Sequence, residues 1–287
     1  MGKRIQRGGD PWWGLAHRWL TRRTFLQASG LAAGLGSFWL AGCSPRAQLK
    51  DVTAPVSVHT MPAELVPAGL GVNIHPNSAT DADLTALATV GFRVVRLDVS
   101  WDQVERQPGH YDFSNYEPII EVLLTHNISP LCILAYNNAL YEHTSAPAPD
   151  NVGPHTDEVR QAFARFAAAA ASHFQGRGIY WEIWNEPDYI RFWYPTPLAD
   201  DYMKLAKLAS VAIRQADPQA MIIAPALTGI EPQAQMTWTF LERCLALGLA
   251  DLADALSVHP YRLDAPESVS ADYQRLRALL ARWSQHN

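Results

Sequence analysis

The sequence predicts an α/β protein built on a parallel sheet. Short runs of aliphatic, β-branched and aromatic residues alternate six times with longer segments of helical period between Leu70 and the C-terminus. Repeated strand–helix units of this kind imply a parallel sheet with crossover helices. Two of the helical segments stop at glycine, Gly91 and Gly248, which readily takes the left-handed conformation that ends a helix. The composition, 48% hydrophobic and 18% charged over 287 residues, supplies one sizeable core.

The first strand falls at 69–75, and the helix after it carries Leu84, Leu87 and Val90 on one face. The second strand is 92–98. The loop after it runs from Trp101 through a Pro108-Gly109 turn to Tyr111-Asp112-Phe113, and Ser114 with Glu117 is the expected capping box of the next helix. The third strand is 129–136. A loop rich in Pro, Asn and His follows over 137–155, and loops that long in a compact domain are usually functional. Val159, Phe163, Phe166, Ala170 and Phe174 then recur at helical spacing as core residues. The fourth strand begins at Ile179, and its aromatic loop over 188–195 walls a cleft. Helices at 198–215 and 236–247 flank the fifth strand at 221–226. The sixth strand is 255–261, and a last helix carries Tyr273, Leu276, Leu280 and Trp283 on one stripe.

The chemistry concentrates in Ile179-Tyr180-Trp181-Glu182-Ile183-Trp184-Asn185-Glu186-Pro187. Aromatic and β-branched residues make it a strand, and Pro187 ends the ladder because it has no N–H to donate. The strand tip therefore holds a carboxyl and an amide between aromatic rings. A carboxyl surrounded by apolar groups holds a proton toward neutral pH, so Glu186 is the candidate proton carrier. Asn185 can donate to a ligand hydroxyl, and aromatic faces suit the C–H faces of sugars.

Trp-Asn-Glu-Pro in this context resembles the acid/base strand of glycoside hydrolase clan A, the retaining (β/α)8-barrel enzymes. The wording of the chain is most like glycoside hydrolase family 39 or a related cellulase-type family. The resemblance implies a TIM-type barrel with Glu186 as general acid/base and Asn185 on the sugar 2-hydroxyl. Arg96, inward at the end of the second strand, would support the nucleophile; it also fits an ion pair with Glu182, which shares the face of Glu186 and needs a partner. His259 and Tyr261 would approach the sugar and the nucleophile, or serve as a structural histidine with a core tyrosine. Trp101, Tyr136 and Trp193 are candidate sugar platforms, each equally compatible with packing.

A closed barrel of this type has eight units, and the sequence shows six. The clan's nucleophilic Glu ends the seventh strand, expected beyond residue 287. Glu231 and Glu267 do not replace it, because no strand leads to either. The expectation is therefore an incomplete barrel over 69–287, from a retaining glycosidase of poly- or oligosaccharides whose remaining units lie elsewhere. The alternatives are a glycan-binding surface lipoprotein and an inactive barrel remnant. The first and sixth strands should lie at the two ends of the sheet.

The N-terminal segment has a different grammar. Thr21-Arg22-Arg23-Thr24-Phe25-Leu26 resembles a twin-arginine export signal, and an apolar run over 28–40 ends in Leu40-Ala41-Gly42-Cys43, which resembles a lipobox. The expected division is a signal peptide over 1–42, lipidation at Cys43, a tether over 43–68, and display at the cell envelope on a lipid anchor. Cys132 and Cys244 sit in strand and helix patterns and are expected as buried thiols. No Cys-x-x-Cys spacing occurs, His75 with His259 lacks a third ligand of fitting spacing for zinc, and no phosphate-cradling glycine loop is present, so no metal or nucleotide cofactor is implied. A net charge of -5 argues against nucleic acid as a partner.

Overall fold

In chain order the elements are β1 (Gly71–Asn73), α1 (Asp81–Val90), β2 (Val94–Ser100), the one-turn α2 (Trp101–Val104), β3 (Glu105–Gln107), β4 (His110–Tyr111) and α3 (Glu117–Thr125). They continue as β5 (Ser129–Ala135), α4 (Asp157–His173), β6 (Tyr180–Ile183), α5 (Ala199–Ala216), β7 (Met221–Leu227), α6 (Gln235–Ala246), β8 (Ala255–Val258) and α7 (Val269–Ser284). The structure, a computed structural model, describes residues 70–75, 79–142, 152–229 and 235–284. The chain divides into units Met1–His59 and Thr60–Asn287, and the described residues belong to the second. The export-signal motif, Cys43 and the tether lie outside the described residues, as does Glu231.

Six strands pair in parallel in the order β1-β2-β5-β6-β7-β8. The first and sixth predicted strands are thus the two edges, as the sequence implies. The sheet with its helices forms part of a (β/α)8 barrel, curled around an open lumen. On β2 the side chains alternate with the period of a strand: Val95, Leu97 and Val99 are fully buried in the core. Arg96, Asp98 and Ser100 take the other face and are half-buried, on the lumen side. Asp98 pairs in register with Ile133, and Ile133 with Glu182, so the two carboxylates belong to one layer of that face.

The outer layer rests on the predicted helical stripe. Val159, Phe163, Phe166, Ala170 and Phe174 are all buried, and α4 lies alongside α5. Removing a ring such as that of Phe163 would cost about 3–5 kcal/mol. The Thr156 hydroxyl caps α4 by accepting from the Val159 N–H at 3.2 Å. Cys132 and Cys244 are free and buried, and burial pushes both thiols up.

The expected capping box is misplaced. Asp112 accepts the Ser114 N–H at 3.0 Å instead, and α3 starts three residues after Ser114 with a proline in its first turn. The reciprocal box forms at α1, between Thr80 and Asp83. The loop after β2 also holds more structure than its Pro-Gly turn foretells: β3 and β4 pair antiparallel across Gly109, which has φ +75°.

Candidate active site

β6 lifts its tip to the C-terminal rim of the sheet. The Trp184 N–H still donates to the Leu134 carbonyl at 3.0 Å, so strand pairing continues to that residue. The backbone then turns left-handed twice, with φ +64° at Trp184 and +47° at Glu186. Such conformations cost roughly 1–3 kcal/mol for a residue with a Cβ and cluster at functional sites. Packing supplies the restraint. Trp184 is fully buried against Phe163 and Trp193, and its indole Nε1 donates to the Phe192 carbonyl at 2.7 Å. The Glu186 carbonyl accepts from the Tyr189 N–H at 3.0 Å, closing the turn past Pro187. Asp188 anchors it further: Oδ1 accepts from the Thr228 hydroxyl at 2.7 Å and Oδ2 from Thr237 at 2.7 Å.

Below this tip Arg96 spans two acceptors. Its Nε lies 2.8 Å from Glu182 Oε2, and its Nη2 lies 2.6 Å from the same oxygen and 2.9 Å from Asn185 Oδ1. Glu182 is fully buried, so the ion pair offsets a large desolvation cost. The sequence left Arg96 with two roles; the ion pair with Glu182 is the one present among the described residues. Because Arg96 holds the Asn185 carbonyl oxygen, the amide NH₂ is left to donate toward a ligand.

Glu186 meets His259. The imidazole Nδ1 lies 2.7 Å from Glu186 Oε1, and both side chains are nearly buried. His259 follows β8, where its N–H donates to the Leu227 carbonyl at 2.8 Å. Tyr261 is 77% exposed, which removes the core-tyrosine role; its ring centroid lies 6.3 Å from that of His259. Asn73, Arg96, Ser257, His259 and Tyr261 line a cavity of about 430 Å³, so both edges of the sheet contribute to the same space.

Tyr136 stands among the charged groups. Burial pushes its phenol up, and Asp98, Glu186 and Glu182 push in the same direction while Arg96 opposes them. Asp98, which the sequence reading passed over, is the half-buried carboxyl of this face. Burial raises it, and Arg96 and His75 oppose the rise. Its signal was available: it lies two positions after Arg96 and shares the same strand face.

Two of the expected sugar platforms are core instead. Trp101 is fully buried, stacked on Tyr141 at 5.2 Å and on Phe166 at 6.0 Å, with Nε1 donating to Glu105 at 2.6 Å. Both ring faces are covered. Trp193 is fully buried under residues 152–155, where a Cβ on Gly153 would sit 2.5 Å from its indole. Partly open aromatics of that region include Tyr136, Phe192, Tyr189 and Tyr194.

Comparison with known proteins agrees with this geometry. The model of the cellulase family, glycosyl hydrolase family 5, matches residues 53–285. A β-xylosidase of Geobacillus stearothermophilus is 27% identical over 173 residues, 57% of this chain and 33% of that protein. A β-xylosidase of Caldicellulosiruptor saccharolyticus is 23% identical over 58% of this chain and 35% of its own length. The chain thus spans about a third of the length of these curated relatives. In solved structures, a family 39 glycoside hydrolase from Bacteroides cellulosilyticus WH2 superposes with a TM-score of 0.59 at 26% identity, covering 71% of this chain and 40% of that one. A family 39 β-xylosidase from Caulobacter crescentus has the same fold, with a TM-score of 0.58 at 20% identity over 74% of this chain and 49% of that one. With its strand-tip carboxyl, its lumen and this match in hand, the chain belongs to the cellulase family, glycosyl hydrolase family 5.

Proposed function

We propose that this chain is part of a retaining glycosidase that cleaves O-glycosidic bonds of an oligo- or polysaccharide, with Glu186 as its general acid/base. The observation that carries the reading is the placement of Glu186. It is held in a left-handed turn at the strand tip, with Oε1 of its carboxyl on His259. In the first step Glu186 would give its proton to the leaving-group oxygen as the glycosidic bond breaks. In the second it would take a proton from the water that attacks the glycosyl-enzyme. Asn185, oriented by Arg96, would donate to a sugar hydroxyl near the reacting carbon. His259 would steer the Glu186 carboxyl. The nucleophile is expected on a strand beyond residue 287, about 5–5.5 Å from Glu186 as in retaining enzymes.

The β-xylosidases among the relatives favour a pentose β-glycoside as substrate. The testing experiment is proton NMR of the first-formed sugar released by the full-length enzyme. Release with the substrate's own anomeric configuration supports double displacement; the opposite anomer rejects it.

For location, the proposal is export followed by lipid attachment at Cys43. It rests on the order of Arg22-Arg23, an apolar run and Leu40-Ala41-Gly42-Cys43. Cys43→Ser should release folded protein from membranes; retention unchanged by that substitution rejects the anchor.

A further inference from the structure

Three carboxyls surround the phenol of Tyr136. Burial pushes that phenol up, and Asp98, Glu186 and Glu182 each push it further. Two of the three carboxyls have partners. Glu182 accepts from Arg96 at 2.8 Å, and Glu186 Oε1 lies 2.7 Å from His259. Asp98 differs. Burial raises its carboxyl, and the charges of Arg96 and His75 oppose the rise, with no hydrogen-bond donor among the groups that act on it. It is half-buried, on the lumen face of β2.

Arg96 does not complete Asp98, because its Nε and Nη2 are occupied by Glu182 and Asn185. Among the described residues that line the cavity of about 430 Å³, Arg96 is the one Arg or Lys. A carboxylate drawn out of water without donors is costly. A ligand that brings O–H donors to Asp98 offsets that cost with charge-assisted hydrogen bonds. A ligand that brings a second carboxylate meets like charge, and no unoccupied cation in the cavity answers it.

The sheet order sets where on a sugar Asp98 would act. Only β5 separates β2 from β6, so the strands of Asp98 and Asn185 lie about 10 Å apart. A single sugar ring with a hydrogen bond on each side fits that gap, over the Arg96–Glu182 floor. Asn185 adjoins Glu186 and meets the hydroxyl next to the reacting carbon. The far side of the ring carries C4 and C5. C5 bears the group that separates the sugar classes: hydrogen in a pentose, a hydroxymethyl in a hexose, a carboxylate in a uronic acid.

We propose that Asp98 is a specificity-determining residue that accepts from hydroxyls on the far side of the glycone and excludes glycones bearing a carboxylate there. This rests on the reading of Glu186 as the acid/base, with the sugar held between β2 and β6.

The test is calorimetric titration of the full-length protein carrying Glu186→Gln, so that no ligand is cleaved. The probes are methyl β-D-xyloside, methyl β-D-glucoside and methyl β-D-glucuronide. The neutral reference is whichever of the first two binds more tightly. The glucuronide should bind at least about tenfold more weakly than that reference. Adding Asp98→Asn, which keeps the shape and removes the charge, should weaken the neutral reference about tenfold and narrow its advantage over the glucuronide by at least as much. Asp98→Ser should move both readings the same way, which separates loss of charge from a local effect of the amide. A glucuronide that binds as tightly as the reference overturns the exclusion, and so does an advantage that neither Asp98 variant changes. Neutral binding unchanged in both variants overturns the hydroxyl contact. Each of these outcomes leaves the glycosidase reading intact. Failure of every probe to bind overturns both.

Discussion

His259 Nδ1 stands 2.7 Å from Glu186 Oε1, and this contact joins the end of β8 to the end of β6 across β7. It orients the carboxyl on which the proposed chemistry depends. Hydrogen bonds to charged groups contribute about 1.5–3 kcal/mol. His259→Ala should therefore lower kcat/KM of the full-length enzyme by about 10–100-fold. An unchanged kcat/KM would assign His259 to packing alone.

Arg96 and Glu182 test the floor of the site. Glu182 is fully buried and takes both Nε and Nη2 of Arg96 on one oxygen. Arg96→Met should destabilise the fold by about 3–5 kcal/mol, since it strands a buried carboxylate. The double variant Arg96→Met/Glu182→Met should recover most of that loss, as denaturant unfolding of the three proteins would show. Equal stability of single and double variants would mean that the pair carries no net coupling.

Glu142 gives a pH signature away from the proposed chemistry. Burial pushes its carboxyl up to about 8. A folded pKa above the unfolded one means that the native state holds the proton more tightly. The stability it contributes is fully present below the ordinary carboxylate range and is lost as pH rises toward 8. Thermal unfolding should show falling stability across that window, and Glu142→Gln should flatten the decline. A variant with the same pH dependence as the parent would remove Glu142 as its source.

Much of this arrangement was legible because it is local. Trp184, Asn185, Glu186 and Pro187 spell out a strand that must end, with its carboxyl at the tip. The pairing of Arg96 with Glu182 followed from strand parity and from the rule that a buried carboxylate needs a cation. The helical stripe from Val159 to Phe174 followed from period alone. The contact between His259 and Glu186 was not legible, because it depends on how strands 73 residues apart are brought together and on an irregular register between β7 and β8. The fate of the tryptophans was hidden for a related reason. An indole suits a core and a sugar equally well, and what covers Trp193 is a glycine 40 residues earlier in the chain. Phe192 and Tyr189 lay within the loop recognised as a cleft wall, but only the fold decides which of its rings stay open. The capping box was misassigned because Asp112 competes for the Ser114 N–H, a local hydrogen bond that the Ser-x-x-Glu spacing does not reveal.

Azide rescue of Glu186→Gln in the full-length enzyme tests the proposal that Glu186 carries the proton in both half-reactions. The variant should lose about 10²–10⁴-fold on glycosides with poor leaving groups. Activated aryl glycosides should lose far less in the first step, because their leaving groups need no proton. Added azide should then restore turnover and yield a glycosyl azide of retained configuration, since a small anion attacks the glycosyl-enzyme without a general base. Full activity of Glu186→Gln on a poor leaving group, with no response to azide, would contradict it.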